Sequence, residues 1–474
     1  MELEAIIGLE IHVEMNTKSK MFSCSRVDFG CEPNTCTDPN DLAFPGALPT
    51  VNKQAVINGI RVAHALHMNI DDLLVFDRKN YFYSDLPKGY QITQNFRPLG
   101  TNGYLTIKTH NGEKRIGIQR LHLEEDACKQ IHSSDYTYLD FNRHGIPLIE
   151  IVSEPDIKNG EEAAKYVEKI RSIVTYLGVS EGKMEEGNLR VDLNLSMKRS
   201  DDNQFGTKVE IKNINSINNI EKAIDYEIER QSSIILSGKT VKQETRRYND
   251  SKKTTEKMRD KEDSVDYKYF VEPDIVPIKL SKEFIEDAIN SSPELADFKV
   301  ERYISLGVNE YNSLLLIHDR KVSQYFEDAL KTECSPELLA NWIVGDVQSY
   351  LNKYNIGIDS FPVSSENLGE LIRLIEKEII NNNQARLVFE IMIQTNEKPE
   401  KIIKDNSLYQ EKNESVLLSF IRDVLKNNPQ SVIDYHAGKQ RAFSYLVGQV
   451  LKASGGKANP SLTSKLMLEE LQRR

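Results

Sequence analysis

An alternation of apolar and charged residues near the start of the chain constrains its fold most. The stretch GLEIHVEMN, residues 8–16, carries Glu10, His12 and Glu14 at every second position. Side chains two residues apart lie on the same face of a β-strand, so these three share one face and apolar residues fill the other. The pattern predicts a strand with one buried face and a row of potential metal or proton ligands. An ordinary half-solvated strand is also compatible with the segment taken alone.

Similar period-2 segments recur through about residue 280. LHLEEDACK places His122, Glu124 and Asp126 on one face and Glu125 on the other. Several such strands in one domain suggest a sheet curved around a polar cavity. The other segments contribute Lys79, Lys88, Glu150, Arg190, Asp192, Lys208, Glu210 and Lys212.

Helical spacing appears at three places in this strand-rich part and continuously after about Ser292. KQAVINGIRVAHALHMN, the segment after Asn159, and the segment ending at Gly238 are predicted helices. Two Ser-Pro-Glu-Leu segments, beginning at Ser292 and Ser335, each predict a Ser cap followed by Pro at the first helical position. We therefore predict an α+β fold. A curved, mostly antiparallel sheet domain spans 1–291, a helical domain 292–405 and a small helical tail domain 406–474.

Charge separates the tail from the body of the chain. The net charge is −11, which by itself argues against binding nucleic acid. From Ser431 to the end, however, seven Lys and Arg face three Asp and Glu, which leaves +4 on the tail and −15 on the rest. The basic tail is a candidate for phosphate contacts, and a solvated basic face is the alternative.

Cysteine content and targeting signals point to the cytoplasm. Five cysteines in 474 residues argue against a disulfide framework, and their spacing is poor for zinc. No apolar run is long enough to cross a bilayer, and we expect no membrane partner. The N-terminus has neither a signal peptide nor a transit peptide pattern. We expect a cytoplasmic protein.

The ionisable residues of the strand-rich part suggest phosphoryl chemistry. Clustered carboxylates repel one another unless a cation offsets them, and carboxylates with one His suit Mg²⁺ or Mn²⁺. Mg²⁺ beside Lys and Arg is the equipment for phosphoryl transfer. The P-loop is absent, because Ala458 follows Ser454-Gly455-Gly456-Lys457 where a hydroxyl residue is required. The dinucleotide-binding glycine motif and the amidase nucleophile segment are absent too.

Many ordered segments of the chain closely resemble one family. It is the GatB family of the tRNA-dependent glutamyl/aspartyl amidotransferases, and the likeness extends from the first strand to the tail. The segments include GLEIHVEMNTKSKMFS, DLAFPGALP, FDRKNYFYSDLPKGYQITQ, LEEDA, PLIEIVSEPDI, MEEGNLRVDLN, FGTKVEIKNINS, DYKYFVEPDI and DYHAGKQRAFSYLVGQVLKASGGKANP.

The resemblance implies an ATP- and Mg²⁺-dependent ligase. Members of this family accept a tRNA mischarged with Glu or Asp and use ATP to phosphorylate the side-chain carboxylate. Ammonia from a separate amidase subunit then displaces phosphate, giving Gln-tRNA(Gln) or Asn-tRNA(Asn). The implied partners are the amidase subunit (GatA), a small subunit (GatC) in a heterotrimer, and the mischarged tRNA.

The resemblance also implies site residues. The expected metal ligands are Glu10, His12, Glu125 and Glu150, with Glu124 competing for the place of Glu125. Arg190 and Asp192 are expected catalytic residues beside those ligands. Lys208 and Glu210, with Lys79 and Lys88, are expected at the nucleotide or the ammonia channel. The expected tRNA contacts are Lys439, Arg441, Lys452, Lys457 and Lys465.

Two departures and two alternatives accompany this interpretation. Many relatives have cysteine pairs near the FGCEPNT segment that are replaced here, and Cys128 stands where the family usually has Gly. One alternative is an ATP-dependent carboxylate–amine ligase for a free small molecule, which would not need a basic tail. The other is a non-catalytic tRNA-binding scaffold, in which carboxylates gathered for a metal would be costly.

Overall fold

The computed structural model describes residues 2–202, 204–260, 266–411 and 413–473. The chain forms two compact units, Met1–Ala296 and Asp297–Arg474. The first unit contains the strands and four helices of the described residues, and the second is helical. The predicted α+β fold, with a mostly antiparallel sheet followed by helices, is confirmed. None of the helices in the described ranges combines the length and apolar character that a membrane crossing requires.

A large sheet organises the first unit. Its nine described strands run in the order β14-β13-β12-β11-β1-β10-β7-β6-β2, and every neighbouring pair is antiparallel except β12 and β13. The opening strand β1 therefore lies in the middle, between strands from far along the chain. The strands are β1 Leu3–Glu14, β2 Asn69–Ile70, β3 Leu73–Leu74, β4 Asp77–Asn80, β5 Tyr90–Thr93, β6 Gly100–Thr109, β7 Gly112–Glu125, β8 Lys129–His132, β9 Thr137–Asp140, β10 Pro147–Ser153, β11 Leu189–Arg199, β12 Val209–Lys212, β13 Glu244–Asn249, β14 Thr254–Asp260, β15 Phe270–Val271 and β16 Ile278–Lys279.

Helices cover the apolar face of this sheet. The helices α1 (Lys53–Ala65), α2 (Gly160–Tyr176) and α3 (Ile217–Leu236) pack against β7, β6 and β11 respectively. The alternate residues of β1, such as Leu9 and Ile11, are fully buried in the core below them. Each such side chain contributes roughly 1.5–3 kcal/mol by leaving water. Because the apolar face is committed to the core, the ionisable residues of β1 must occupy the opposite face.

The second unit has two separate hydrophobic cores. One is built from residues between 303 and 403, and the other from residues between 417 and 471. The division at residues 291 and 405 that the sequence suggests stays a prediction. The helices from the end of the first unit onward are α4 Lys282–Asn290, α5 Ala296–Ser305, α6 Glu310–Leu316, α7 Arg320–Leu330, α8 Pro336–Trp342, α9 Gln348–Tyr354, α10 Ser365–Glu376, α11 Asn382–Thr395, α12 Pro399–Asp405, α13 Glu414–Asn427, α14 Pro429–His436, α15 Gln440–Ala453 and α16 Pro460–Gln472.

Local predictions meet mixed outcomes. Ser335 caps α8, with its side chain accepting a hydrogen bond from the Leu338 backbone, as the Ser-Pro-Glu-Leu pattern predicts. The same pattern at Ser292 is wrong, because α5 begins only at Ala296, after the motif has ended. Cys31 and Cys36 form a disulfide that the sparse cysteine count did not predict.

Candidate active site on the polar face of the sheet

Strand register brings the first site residues together. His12 on β1 pairs directly with Glu150 on β10 and with Arg190 on β11, and Glu150 pairs in turn with His122 on β7. Directly opposed residues in adjacent antiparallel strands present their side chains on the same face. Residues that are more than a hundred positions apart in the sequence therefore meet on one polar surface.

The centre of this surface is a group of carboxylates and imidazoles. One ligand atom from each of His12, Glu124 and Glu150 lies within 4.8 Å of the others. His12 Nε2 is 3.4 Å from Glu150 Oε2 and 3.8 Å from Glu124 Oε1. His122 Nε2 completes the group, at 3.1 Å from Glu150 Oε2 and 3.4 Å from Glu124 Oε2. We call these four residues the carboxylate–imidazole group.

The electrostatics of this group favour added positive charge. Burial disfavours a charged His12, but the carboxylates of Glu150 and Glu124 outweigh it and raise the pKa of His12 to about 9. Burial likewise opposes ionisation of Glu150, yet His122 and His12 hold the pKa of Glu150 well below its usual range. Two carboxylates and an imidazole within reach of one point are a donor set that fits a divalent cation such as Mg²⁺ or Mn²⁺.

Glu125 lies outside this group, although it was the predicted ligand. Its carboxylate forms an ion pair with Lys88 and accepts a hydrogen bond from the Ile92 backbone at 3.0 Å. Because side chains alternate along β7, consecutive Glu124 and Glu125 must point to opposite sides. The structure therefore brings Glu124 to His12 and Glu150. It pairs the predicted Lys88 with Glu125 instead of with the group.

Glu10 borders the group without joining the three close ligand atoms. Its carboxylate accepts a hydrogen bond from Asn194 Nδ2 at 2.9 Å. Burial, followed by repulsion from Glu150, raises the pKa of Glu10. A carboxyl group that is disfavoured as an anion by its neighbours is one that a nearby cation would stabilise.

Lys79 approaches the group from the small sheet β15-β4-β5. Burial disfavours its charged form, but Glu124 is the strongest opposing influence, and the net effect raises the pKa of Lys79. Its ammonium also lies 4.8 Å from the centroid of the Tyr267 ring. Lys79 is thus a cation held beside the predicted ligands, as the sequence interpretation expected.

A second polar cluster lies on β11 and β12. Lys212 Nζ is 2.5 Å from Asp192 Oδ2 and 3.1 Å from Glu210 Oε1. Lys208, the predicted nucleotide-binding residue, is exposed and precedes β12. Lys212 therefore occupies the position that the sequence interpretation gave to Lys208. The strand alternation of TKVEIKN was the available signal, since it groups Glu210 and Lys212 but leaves the start of the strand open.

Arg190 is held by two acids. Its guanidinium forms an ion pair with Asp126 and lies 3.3 Å from Glu14 Oε1. Arg143 also contacts Asp126, with 3.2 Å between Nε and Oδ2. Sequence reasoning proposed Arg190 as a catalytic residue but missed Glu14 as its partner, although Glu14 shares the polar face of β1.

The predicted tRNA contacts all lie on the surface of the second unit. Lys439 precedes α15 and pairs with Asp434, with 3.0 Å between Nζ and Oδ1. The remaining four are exposed on or beside α15 and α16, namely Arg441, Lys452, Lys457 and Lys465.

Together these features define an α+β protein whose antiparallel sheet carries an ionisable site with the donor set of a divalent cation. Residues 5–286 match the family model of the GatB/GatE catalytic domain, and residues 324–471 match that of the GatB domain. The chain belongs to the GatB family, which confirms the resemblance seen in the sequence.

Curated relatives match the chain over its whole length. Proteins named as the GatB component of aspartyl/glutamyl-tRNA(Asn/Gln) amidotransferase are 45% identical over 474 residues in Persephonella marina and 46% identical over 475 residues in Staphylococcus carnosus. A third, from Oceanobacillus iheyensis, is 45% identical over 476 residues. Each alignment covers 100% of this chain and 100% of the relative.

Proposed function

We propose that this chain carries out the ATP-dependent step of transamidation on tRNA mischarged with Glu or Asp. The carboxylate–imidazole group beside Lys79 is the observation that carries the proposal. Family membership supplies the reaction class, a carbon–nitrogen ligase of the amidotransferase type. The group supplies a place where a polyanionic nucleotide and a substrate carboxylate can be held together.

The chemistry has two balanced steps. The side-chain carboxylate of the tRNA-bound amino acid attacks the γ-phosphorus of ATP, and ADP leaves. Ammonia then attacks the acyl carbon, phosphate leaves, and the nitrogen loses a proton to give the amide. Activation is needed because the oxide of a carboxylate is a poor leaving group, whereas phosphate is a good one.

We assign the divalent cation, Mg²⁺, to His12, Glu124 and Glu150, with Glu10 beside them. When bound, the cation neutralises phosphate charge during phosphoryl transfer. Lys79 and Lys212 add fixed positive charge for the phosphate groups of ATP, and Asp192 and Glu210 orient Lys212. His122 buttresses Glu150 and Glu124 through its Nε2.

The proposal includes partner proteins. The sequence carries no amidase nucleophile segment, so ammonia must come from another protein. We assign that role to an amidase subunit, GatA, with GatC as the small third member of a heterotrimer. The pair of Lys88 and Glu125 is our candidate for the ammonia route, since it lies on the other side of β7 from Glu124. We expect the complex to work in the bacterial cytoplasm.

The test uses the assembled complex and measures ADP formation from ATP. We expect stimulation by Glu-tRNA(Gln) or Asp-tRNA(Asn), and none by uncharged tRNA or by free glutamate. His12→Ala should abolish the stimulated reaction and leave the Kd for tRNA near that of the unmodified complex. Stimulation by free glutamate alone would favour a small-molecule ligase, and an active His12→Ala complex would remove His12 from the site.

A further inference from the structure

A row of four aromatic rings crosses the small sheet next to the carboxylate–imidazole group. In order, the rings are Phe96, Tyr269, Tyr267 and Tyr81, which we call the aromatic row. Their centroids are 6.5, 6.0 and 5.8 Å apart from one ring to the next, and neighbouring planes are inclined by 69–73°. The rings thus meet edge to face, the arrangement that aromatic pairs favour.

Backbone hydrogen bonds fix both ends of the aromatic row. The buried Asp77 accepts a hydrogen bond from the Phe96 backbone at 2.9 Å, so Phe96 is anchored to the start of β4. At the end of β4, the Asn80 backbone donates to the Tyr267 carbonyl at 2.9 Å. Asn80 also donates from its side-chain amide to the Lys268 carbonyl at 2.8 Å. The rings are therefore held on a prepared surface.

The aromatic row runs from solvent toward the site. Phe96 is 60% exposed, a large exposure for a Phe. At the other end, the ammonium of Lys79 lies 5.8 Å from the Tyr81 ring centroid and 4.8 Å from that of Tyr267. Lys79 is the same cation that faces Glu124. A ligand lying along the rings would have one end in solvent and the other beside the group.

The chemistry of the aromatic row fits unstacked nucleobases. Proteins bind single-stranded RNA by placing successive bases against aromatic side chains, with cations for the backbone phosphates. The ring spacing of about 6 Å exceeds the roughly 3.4 Å between stacked bases, so bases would be splayed apart along the row. ATP offers a single base, whereas a row of rings offers several places.

We propose that the aromatic row binds the single-stranded 3′-terminal nucleotides of the aminoacylated tRNA. This inference rests on the proposed function. The amino acid is esterified to the last ribose, so the last nucleotide must lie within the length of one aminoacyl group from the reacting carboxylate. The buried end of the row lies there, and the exposed Phe96 end leads the preceding nucleotides outward.

The experiment is a cycle of binding measurements on the assembled complex. The Kd is measured for an intact tRNA and for the same tRNA lacking its last three nucleotides, with the unmodified chain, Tyr269→Leu and Phe96→Leu. Leucine keeps apolar bulk but has no ring face. Tyr104→Leu is the matched control, because Tyr104 stacks on His67 and pairs with Gly117, five positions along β7 from His122.

We expect truncation of the tRNA to weaken binding by at least about fivefold with the unmodified chain and with Tyr104→Leu. Truncation should cost less than about twofold with Tyr269→Leu or Phe96→Leu, and Tyr269→Phe should restore the loss. Equal losses in all variants, or no loss in the unmodified complex, would overturn the proposal. An increase in the KM for ATP with an unchanged truncation cycle would do so too, by assigning the rings to the nucleotide.

The binding cycle also separates this inference from the proposed function. If the unmodified complex forms no ADP in response to mischarged tRNA, the proposed function fails whatever the Kd values are. If it does form ADP and the truncation losses are equal, only the aromatic row proposal fails.

Discussion

His12 and Glu150 face each other across adjacent antiparallel strands, with 3.4 Å between His12 Nε2 and Glu150 Oε2. The register that pairs them is enforced by the apolar residues between them, since a slip of one residue would turn Ile11 and its neighbours out of the core. The site is therefore built into the packing of the sheet. A change to its ionisable residues can alter chemistry while the apolar face maintains the fold.

The first prediction concerns two consecutive glutamates. Glu124→Gln should weaken Mn²⁺ binding by at least about tenfold, because Glu124 supplies a carboxylate to the carboxylate–imidazole group. Glu125→Gln should leave the Mn²⁺ affinity within about twofold, because Glu125 is engaged by Lys88 on the other side of β7. Electron paramagnetic resonance of bound Mn²⁺ measures both affinities.

Glu125→Gln serves as the matched control, since it is the same substitution one residue away. A comparable loss of Mn²⁺ affinity in both variants would mean that the two carboxylates share the cation. A loss with Glu125→Gln alone would restore the ligand set that the sequence interpretation favoured.

The polar face could be predicted from the sequence because strand alternation is a local property. GLEIHVEMN announces its own two faces, and the apolar face of β1 is buried as expected. The partners of that face could not be predicted in this way. Strand order depends on nonlocal pairing, so nothing in the alternation reveals that His12 meets Glu150 and Arg190.

The two misplaced residues have a similar physical cause. Alternation separates Glu124 from Glu125 but does not say which face of β7 joins the polar face of β1. Lys208 precedes β12, so the local pattern could not show that it is exposed while Lys212 reaches Asp192. In both cases the answer depends on the register with a neighbouring strand.

The second prediction separates the two lysines. Lys212→Ala should lower kcat/KM for amidation of mischarged tRNA by at least about tenfold, because it removes a cation that burial alone would disfavour but Asp192 and Glu210 stabilise. Lys208→Ala should stay within about twofold, since Lys208 is exposed. Steady-state kinetics of Gln-tRNA or Asn-tRNA formation compare them. Equal effects would contradict the placement of Lys212.

The third prediction concerns acid sensitivity and the buried His144. Both its ring nitrogens lack a hydrogen-bond partner within the described part of the chain, and burial, with Lys88 and Lys20 adding to it, lowers the pKa of His144 to about 3. Asp41 and Asp126 oppose that shift. The unfolded chain binds a proton at this position below about pH 6.5, while the folded chain does so only near pH 3. The free energy of unfolding should therefore fall as pH decreases through this window.

Replacing His144 should remove that contribution. Between pH 7 and pH 5, the free energy of unfolding of His144→Leu should fall by about 2 kcal/mol less than that of the unmodified protein. Urea unfolding at both pH values measures the difference, and His132→Leu, at an exposed position on β8, is the control. A His144→Leu protein with unchanged pH dependence would show that His144 is protonated in the folded state.

The last prediction concerns the basic surface of the second unit. Replacing four exposed bases with Ala should weaken tRNA binding and reduce the slope of log Kd against log salt concentration by up to about 0.9 per lost phosphate contact. These bases are Arg441, Lys452, Lys457 and Lys465.

Lys439→Ala should change the slope less than any of those four, because Asp434 already pairs with Lys439 and partly offsets its charge. Filter binding across a salt series, with ADP formation at saturating tRNA as the activity readout, measures these effects. We expect saturating tRNA to restore ADP formation, since phosphate contacts position the tRNA without reaching the reacting carboxylate. An unchanged Kd and salt slope in the fourfold variant would show that this surface is merely solvated.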